Sequence, residues 1–424
     1  MKSVRLDISN DNIYFDTQTL KYMRSTESVV SVEETGDSIL RYEFAKSSQL
    51  KKLVILVTNC CNMSCRYCIA DEGLYTQNKC RAFFDKELII GKIRELFKVY
   101  PDGIQYIQLF GGEPLLAYFD LQNFIDSIIK VCESDNKPMP NFSMVTNGTL
   151  INKETVDFIS KNRIYTTISL DGTEVFHNAN RIYKNGRGTY HDIIDNIKRL
   201  EPKHLTVEFS VSNVLIKSYK KGMINDILIE YIDLGFRNIV LNVIYSPETI
   251  AAYEQYPDNL RDIFDEYVSF MIKEINSENC RILDYALLNT YISVISKRVI
   301  RNTCTAGIGN LTITTDGKIL NCYLSDNILD NGESFDYEGF IKKQKEYYEV
   351  DAPAVCRRCK WQRLCSGWCR EMLNGDVYEL KCIYIRKYTE AIVKDLFYSL
   401  VDVIKRRRII SNIRLFSENE GGWI

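Results

Sequence analysis

The chain has 424 residues, enough for two or three domains and a substantial core, so a mini-fold that exists only around one bound metal is excluded. Lys and Arg number 54 against 56 Asp and Glu, a formal charge of −2, which gives no electrostatic sign of a nucleic-acid or membrane partner. Fourteen Cys stand beside only 3 His in a chain that is 45% hydrophobic, so the thiols are not needed to rescue a weak core.

The N-terminus MKSVRLDISNDN places Arg5, Asp7 and Asp11 where the apolar region of a secretory signal would lie, so disulfide-forming export is not expected. No run of ~18 uncharged apolar residues occurs, and the best candidate is broken by Glu390, Lys394, Asp395 and Asp402. The expectation is a cytoplasmic protein with no nucleic-acid or membrane partner. Its clustered thiols then stay reduced and serve metal binding or catalysis.

In chain order, residues 1–50 read as a β-rich entry segment. From Leu53 to Ile244, short β-rich runs alternate with stretches of helical period, the pattern of βα units on a parallel sheet. Six strands are predicted: LVILVT from Leu53, IQYIQLF from Ile104, FSMVTN from Phe142, IYTTISL from Ile164, LTVEFSVSNV from Leu205 and NIVLNVI from Asn238. Between them Phe84, Leu88, Ile89, Ile93, Leu96 and Phe97 form one helical apolar face, and Phe124, Ile125, Ile128 and Ile129 after Asp120 form another. Six units fall short of a closed eight-stranded barrel. Residues 51–250 are therefore expected to be an α/β, partial (β/α)6 TIM barrel whose site lies at the C-terminal strand ends.

Residues 251–303 carry two helical stretches and read as a bridge. Residues 304–385 hold seven Cys and only short periodic segments, including the hairpin-like LTITTDGKILNC turning at Asp316-Gly317, and are expected to form a separate, cluster-organised domain. In 386–424 a stripe of Tyr388, Ile392, Leu396, Leu400 and Ile404 predicts one closing amphipathic helix. The Lys405 to Arg408 run is read as the cationic end of that helix, complementing its dipole.

Two cysteine constellations carry the chemistry. After the first strand, Cys61, Cys65 and Cys68 are spaced x3 and x2 on one loop, so three thiolates can hold an iron-sulfur cube and leave its fourth iron open. The alternative is a zinc knuckle, which wants a fourth ligand, yet the His residues lie at 177, 191 and 204. Cys60 points away if Cys61 ligates, and is read as structural or incidental. Further on, Cys304, Gly317 and Cys322 read C-x12-G-x4-C, followed by Cys356-x2-Cys359-x5-Cys365-x3-Cys369 and then Cys382. Seven thiolates exceed one cluster and imply two multi-ligand sites, with paired zinc sites as the alternative. Cys80, Cys132 and Cys280 are read as ordinary small buried residues.

The C-x3-C-x2-C loop after the first strand of a partial barrel resembles the radical S-adenosylmethionine family. That resemblance implies S-adenosylmethionine chelated at the open iron and cleaved reductively to a 5′-deoxyadenosyl radical, with Tyr67 against adenine. Gly111-Gly112-Glu113-Pro114 is similar to the family's GGEP segment, in which glycines bring ligand and backbone together and Glu113 would meet the methionine ammonium. Asn147 and Ser169, at the ends of the third and fourth strands, resemble cofactor-lining positions, with turn or capping roles as their alternative. Arg181 in His177-x3-Arg181 resembles the arginine that pairs with the cofactor carboxylate.

The second constellation resembles the SPASM auxiliary-cluster domain. By that resemblance Cys356, Cys359, Cys365 and Cys382 would hold one 4Fe-4S cluster, while Cys304, Cys322 and Cys369 would hold another with an open iron. Three iron-sulfur clusters in all are implied, with a flavodoxin- or ferredoxin-type reductant as partner. Enzymes of this kind act mostly on polypeptides, so the expectation is a maturase that crosslinks a precursor peptide through a Cys thioether. Carbon-carbon crosslinking, sulfatase-maturase-like oxidation and plain electron transfer are the alternatives. Sulfatase maturases usually carry Asp after the cysteine matching Cys322, where this chain has Tyr323. The segment Ile13 to Met23 resembles part of a leader-binding entry region; its alternative is an extra edge hairpin. The catalytic base is not assigned.

Overall fold

The computed structural model describes residues 3–8, 11–17, 19–24, 47–72, 80, 84–200, 205–298, 305–332, 334–348, 354–357, 359–365, 369, 377–400 and 402–418. Cys304 lies outside the described residues. The first strands, β1 (Ser3–Ile8), β2 (Asp11–Asp16) and β3 (Lys21–Arg24), form an antiparallel sheet of their own. It is therefore not an edge hairpin of the barrel. It packs instead on the C-terminal half: the Phe15 and Trp361 ring centroids lie 6.4 Å apart, and the Tyr22 hydroxyl donates to the Val393 carbonyl at 2.6 Å.

All six predicted strands form, as β4 (Leu50–Thr58), β5 (Ile104–Gly111), β6 (Asn141–Thr146), β7 (Tyr165–Ser169), β8 (Leu205–Val211) and β9 (Asn238–Val243), each parallel to the next. Helices cover the sheet, so strand residues such as Leu53, Ile55, Val57, Val207 and Phe209 are fully buried and read as continuous apolar runs. The helix Lys86–Val99 starts where Asp85 accepts from the Leu88 amide at 3.0 Å, and it buries Ile89, Ile93, Leu96 and Phe97 as predicted.

The barrel sheet does not stop at six strands. Beyond β9 lies the short β10 (Leu283–Asp284), and beyond β4 lie β11 (Asn310–Ile313), β12 (Ile319–Leu320) and β13 (Ile328–Asp330). β11 runs parallel to β4, from Asn310 opposite Lys52 to Ile313 opposite Ile55. The hairpin turns at Asp316-Gly317 as predicted, with Gly317 at φ 81. Its placement corrects the expectation of a separate domain after residue 304. An open barrel leaves β4 with an unpaired edge, and β11 covers it. Tyr100 fastens the junction, donating to the Ile308 carbonyl at 2.8 Å and accepting from Gln344 at 2.9 Å.

The single closing helix is likewise corrected to two, Val377–Ser399 and Val403–Glu418. Tyr388, Ile392 and Leu396 are buried, but Leu400 and Ile404 are 48% and 64% exposed because the stripe ends where the first helix does. Lys405 to Arg408 thus sit near the start of the second helix, where cations oppose the dipole. Ion pairs hold the first and last of them: Lys405 meets Asp395 at 2.7 Å and Arg408 meets Glu278. Among the described residues, no helix is long and apolar enough to cross a membrane.

Candidate active site

The loop after β4 carries Cys61, Cys65 and Cys68 and is held by backbone contacts. The Ser64 amide donates to the Ile182 carbonyl at 2.9 Å, Arg66 donates to Asn180 at 3.0 Å, and Met63 bridges Tyr183. Below it lies the Gly111-Gly112 turn. A Cβ at Gly111 would stand 2.1 Å from the Thr58 carbonyl oxygen, and one at Gly112 would stand 2.1 Å from that of Cys60. The glycines therefore admit the cysteine loop's own backbone, and the Gly112 and Glu113 amides donate to Thr58 and Cys60 at 3.0 and 2.8 Å.

These loops open into a cavity of about 380 Å³ at the C-terminal strand ends. Cys61, Cys65 and Cys68 line it together with Tyr67, Gly111, Gly112, Asn147, Ser169 and Arg181, all singled out from the sequence. Glu113 is the exception. Its side chain is fully buried, accepting from Leu115 N at 3.0 Å, Thr146 Oγ1 at 2.7 Å and Asn147 N at 2.7 Å, so it ties the loops after β5 and β6 together. Burial pushes its carboxyl up to about 7 against the pull of these donors.

Cys61, Cys65 and Cys68 line one chamber, a set of three thiols without His or carboxylate that fits an iron-sulfur group. Burial pushes the Cys61 thiol up to about 12, with Glu113 adding, and the Cys65 thiol up to about 11 against the pull of Arg181. Bare thiolates are disfavoured there, so a cationic metal group suits the site.

Arg181 is buried beside Asp171, with Nε 3.1 Å from Oδ1 at an angle that makes an ion pair but no hydrogen bond. Its guanidinium lies 5.3 Å from the centroid of the Tyr67 ring, and the Tyr67 hydroxyl donates to the other Asp171 oxygen. His177 stiffens this group. Its Nδ1 accepts from the Asp171 amide at 3.3 Å, and its Nε2 lies 2.9 Å from Thr189 Oγ1, which donates to the Arg181 carbonyl. Burial and the nearby arginine bring its imidazole down to about 3, so it works as a neutral strut.

Sequence reasoning missed Glu208, Asn242 and Tyr245 on the same wall. Glu208 Oε2 accepts from Ser169 Oγ at 2.7 Å, and Oε1 accepts from Asn242 Nδ2 at 2.5 Å. The available signal was a carboxylate in the middle of the LTVEFSV strand, flanked by Val207 and Phe209.

The second constellation also gathers. Cys356, Cys359, Cys365 and Cys382 line one small cavity of about 20 Å³ beside Trp361 and Arg386. Cys369 lines the large cavity together with Tyr323 and Leu324, Tyr245 interacts with both Cys369 and Cys382, and the Tyr323 and Phe110 ring centroids lie 4.9 Å apart. Cys132 and Cys280 are buried as expected. Cys80 is not an ordinary buried residue: it is exposed and forms a disulfide with the buried Cys60 across Cα atoms 5.1 Å apart, within the reach of that bond, which gives Cys60 a structural role.

The Radical SAM superfamily model matches residues 55–228, so this region is a Radical SAM domain. The family implies S-adenosylmethionine and a 4Fe-4S cluster. The chain is 25% identical over 342 residues to a cysteine-type anaerobic sulfatase-maturating enzyme of Clostridium perfringens, spanning 76% of this chain and 89% of that one. It is 24% identical over 381 residues to the radical SAM cyclopropyl synthase TigE of Paramaledivibacter caminithermalis, spanning 86% and 76%. In fold it matches native anSMEcpe with bound AdoMet and Kp18Cys peptide at a TM-score of 0.65 and 21% identity, over 84% of this chain and 99% of that one.

Proposed function

We propose that the protein oxidises a polypeptide, removing a pair of hydrogens to form an intramolecular thioether from a Cys. One observation carries this reading: Cys369 and Tyr323, from the second cysteine region, share a cavity with Cys61, Cys65 and Cys68. A radical oxidation must shed one electron from substrate, and a second metal group held through Cys369 would be at hand to take it. Cys61, Cys65 and Cys68 would hold the catalytic cluster; Cys356, Cys359, Cys365 and Cys382 would hold one auxiliary cluster, and Cys322 and Cys369 with Cys304 another. When bound, the reduced catalytic cluster supplies the electron that cleaves S-adenosylmethionine. The chain's own residues do the rest. Arg181, fixed by Asp171, would orient a carboxylate, Tyr67 presents its ring beside that cation, and the Phe110 and Tyr323 rings pack against each other on the cavity wall. A flavodoxin- or ferredoxin-type protein would supply electrons.

A sulfatase-maturase reading has equal support, because the Clostridium enzyme is covered over 89% of its length. Products separate the two. Anaerobically reconstituted enzyme is incubated with each short peptide encoded beside its gene and with a synthetic Cys-containing peptide. A product that loses two hydrogens and keeps its sulfur supports the thioether; one that exchanges sulfur for an aldehyde oxygen supports the maturase. Unchanged peptides overturn both.

A further inference from the structure

Every route to a substrate that loses two hydrogens must give one of them up as a proton. Among the described residues, the wall of the large cavity carries one carboxylate, Glu208, one cation, Arg181, and no His or Lys. Glu113 is sealed behind the wall by its three donors, and the Tyr67 hydroxyl is committed to Asp171. Glu208 projects from mid-strand β8 and is steadied from both flanking strands, by Ser169 on β7 and Asn242 on β9. Each of its oxygens accepts one hydrogen bond and keeps a lone pair for a proton. A carboxylate fixed on rigid strands and facing the reaction chamber is the construction a general base requires.

We propose that Glu208 is the proton acceptor of the substrate step, an inference that rests on the polypeptide-oxidising function above. The balance is complete. One hydrogen atom leaves a substrate carbon for the adenosyl carbon released from S-adenosylmethionine, so one C–H bond breaks and another forms. As the new bond closes on the substrate, one proton moves to a Glu208 oxygen and one electron passes to an oxidised iron-sulfur cluster. Methionine and 5′-deoxyadenosine leave as co-products.

The test uses holoenzyme, wild type and Glu208→Gln, with S-adenosylmethionine and fully deuterated versions of the peptides named above. Binding of S-adenosylmethionine is read by equilibrium dialysis, hydrogen transfer by deuterium in 5′-deoxyadenosine, and completion by peptide product per deoxyadenosine. Glu208→Gln is expected to bind S-adenosylmethionine within about twofold of wild type and to transfer deuterium, while product per deoxyadenosine falls about 100-fold. Glu208→Asp, which keeps the base, recovers part of that loss. An unchanged product ratio in Glu208→Gln overturns the proposal, and so does a loss of S-adenosylmethionine affinity beyond tenfold, which makes Glu208 a cofactor ligand. Wild-type enzyme that converts no peptide overturns the polypeptide reading and this inference with it.

Discussion

Gly112 has no room for a methyl group, since the atom its Cβ would strike is the carbonyl oxygen of Cys60, next to Cys61, a ligand in the proposed cluster site. Backbone cannot swing aside as a flexible side chain can. Gly112→Ala should cost about 1–3 kcal/mol and displace the cysteine loop. Iron and sulfide per chain after reconstitution, with the denaturant midpoint, check this; a full iron complement at unchanged stability would contradict it. His177 gives a pH prediction. Its folded value of about 3 lies below the ordinary 6.5, so the unfolded chain binds more protons between these values and stability falls as pH drops through that window. The full loss is on the order of 5 kcal/mol. Glu113, raised to about 7 from 4.5, works in the opposite sense and loses stability as pH rises from 4.5 through 7. The two partly offset, so the difference between wild type and His177→Phe isolates the histidine: the variant is less stable at pH 7, and its deficit narrows toward pH 4. A deficit independent of pH would sink the assignment. The placement of Cys61, Cys65 and Cys68 was legible because their close spacing puts all three on one loop, and that loop lines the cavity. Glu113 was not, because a carboxylate facing a ligand and one buried among backbone amides look alike in a sequence.

At the scale of elements, the six barrel strands were legible because each is an apolar run between helical faces, as at Leu53 and Leu205. The two-helix ending was not. The stripe through Leu400 and Ile404 keeps helical period across the break, and only burial shows that those two residues face outward. What joins the C-terminal helices to the body is a buried carboxylate. Asp395 accepts from the Tyr291 hydroxyl at 2.7 Å and from Asn276 at 3.0 and 3.1 Å, and it pairs with Lys405 at 2.7 Å. Asp395→Ala leaves three donors without their shared acceptor, one of them the buried Tyr291 hydroxyl. A loss of about 2–4 kcal/mol is expected. Urea unfolding measures it, and Asp395→Asn, which retains one acceptor oxygen, should lose less. Equal losses in the two variants would show that the acceptor contributes nothing.

On the scale of the whole molecule, the sequence divides where the structure does not. Composition changes near residue 304, from βα alternation to clustered Cys, yet β11 extends the barrel sheet through β4, and the helix Val377–Ser399 packs against Pro257–Ile275 and Tyr285–Ile295. Strand addition is hard to foresee because NLTI carries no mark of its partner; pairing depends on which edge is open. The consequence is mechanical coupling between the two cysteine regions, which keeps Cys369 and Tyr323 at the chamber of Cys61. It also predicts how the protein unfolds. All three Trp, at positions 361, 368 and 423, lie in the C-terminal part of the sequence, so their fluorescence reports on that part, whereas far-ultraviolet circular dichroism is dominated by helices throughout the chain. If the regions were separate domains, fluorescence and dichroism would give different denaturant midpoints. A shared sheet, a shared helical interface and the Phe15 contact with Trp361 predict coincident transitions in anaerobic holoenzyme. Two resolved midpoints would mean that the β4–β11 pairing does not couple the halves, and that Cys369 can leave the chamber while the barrel stays folded.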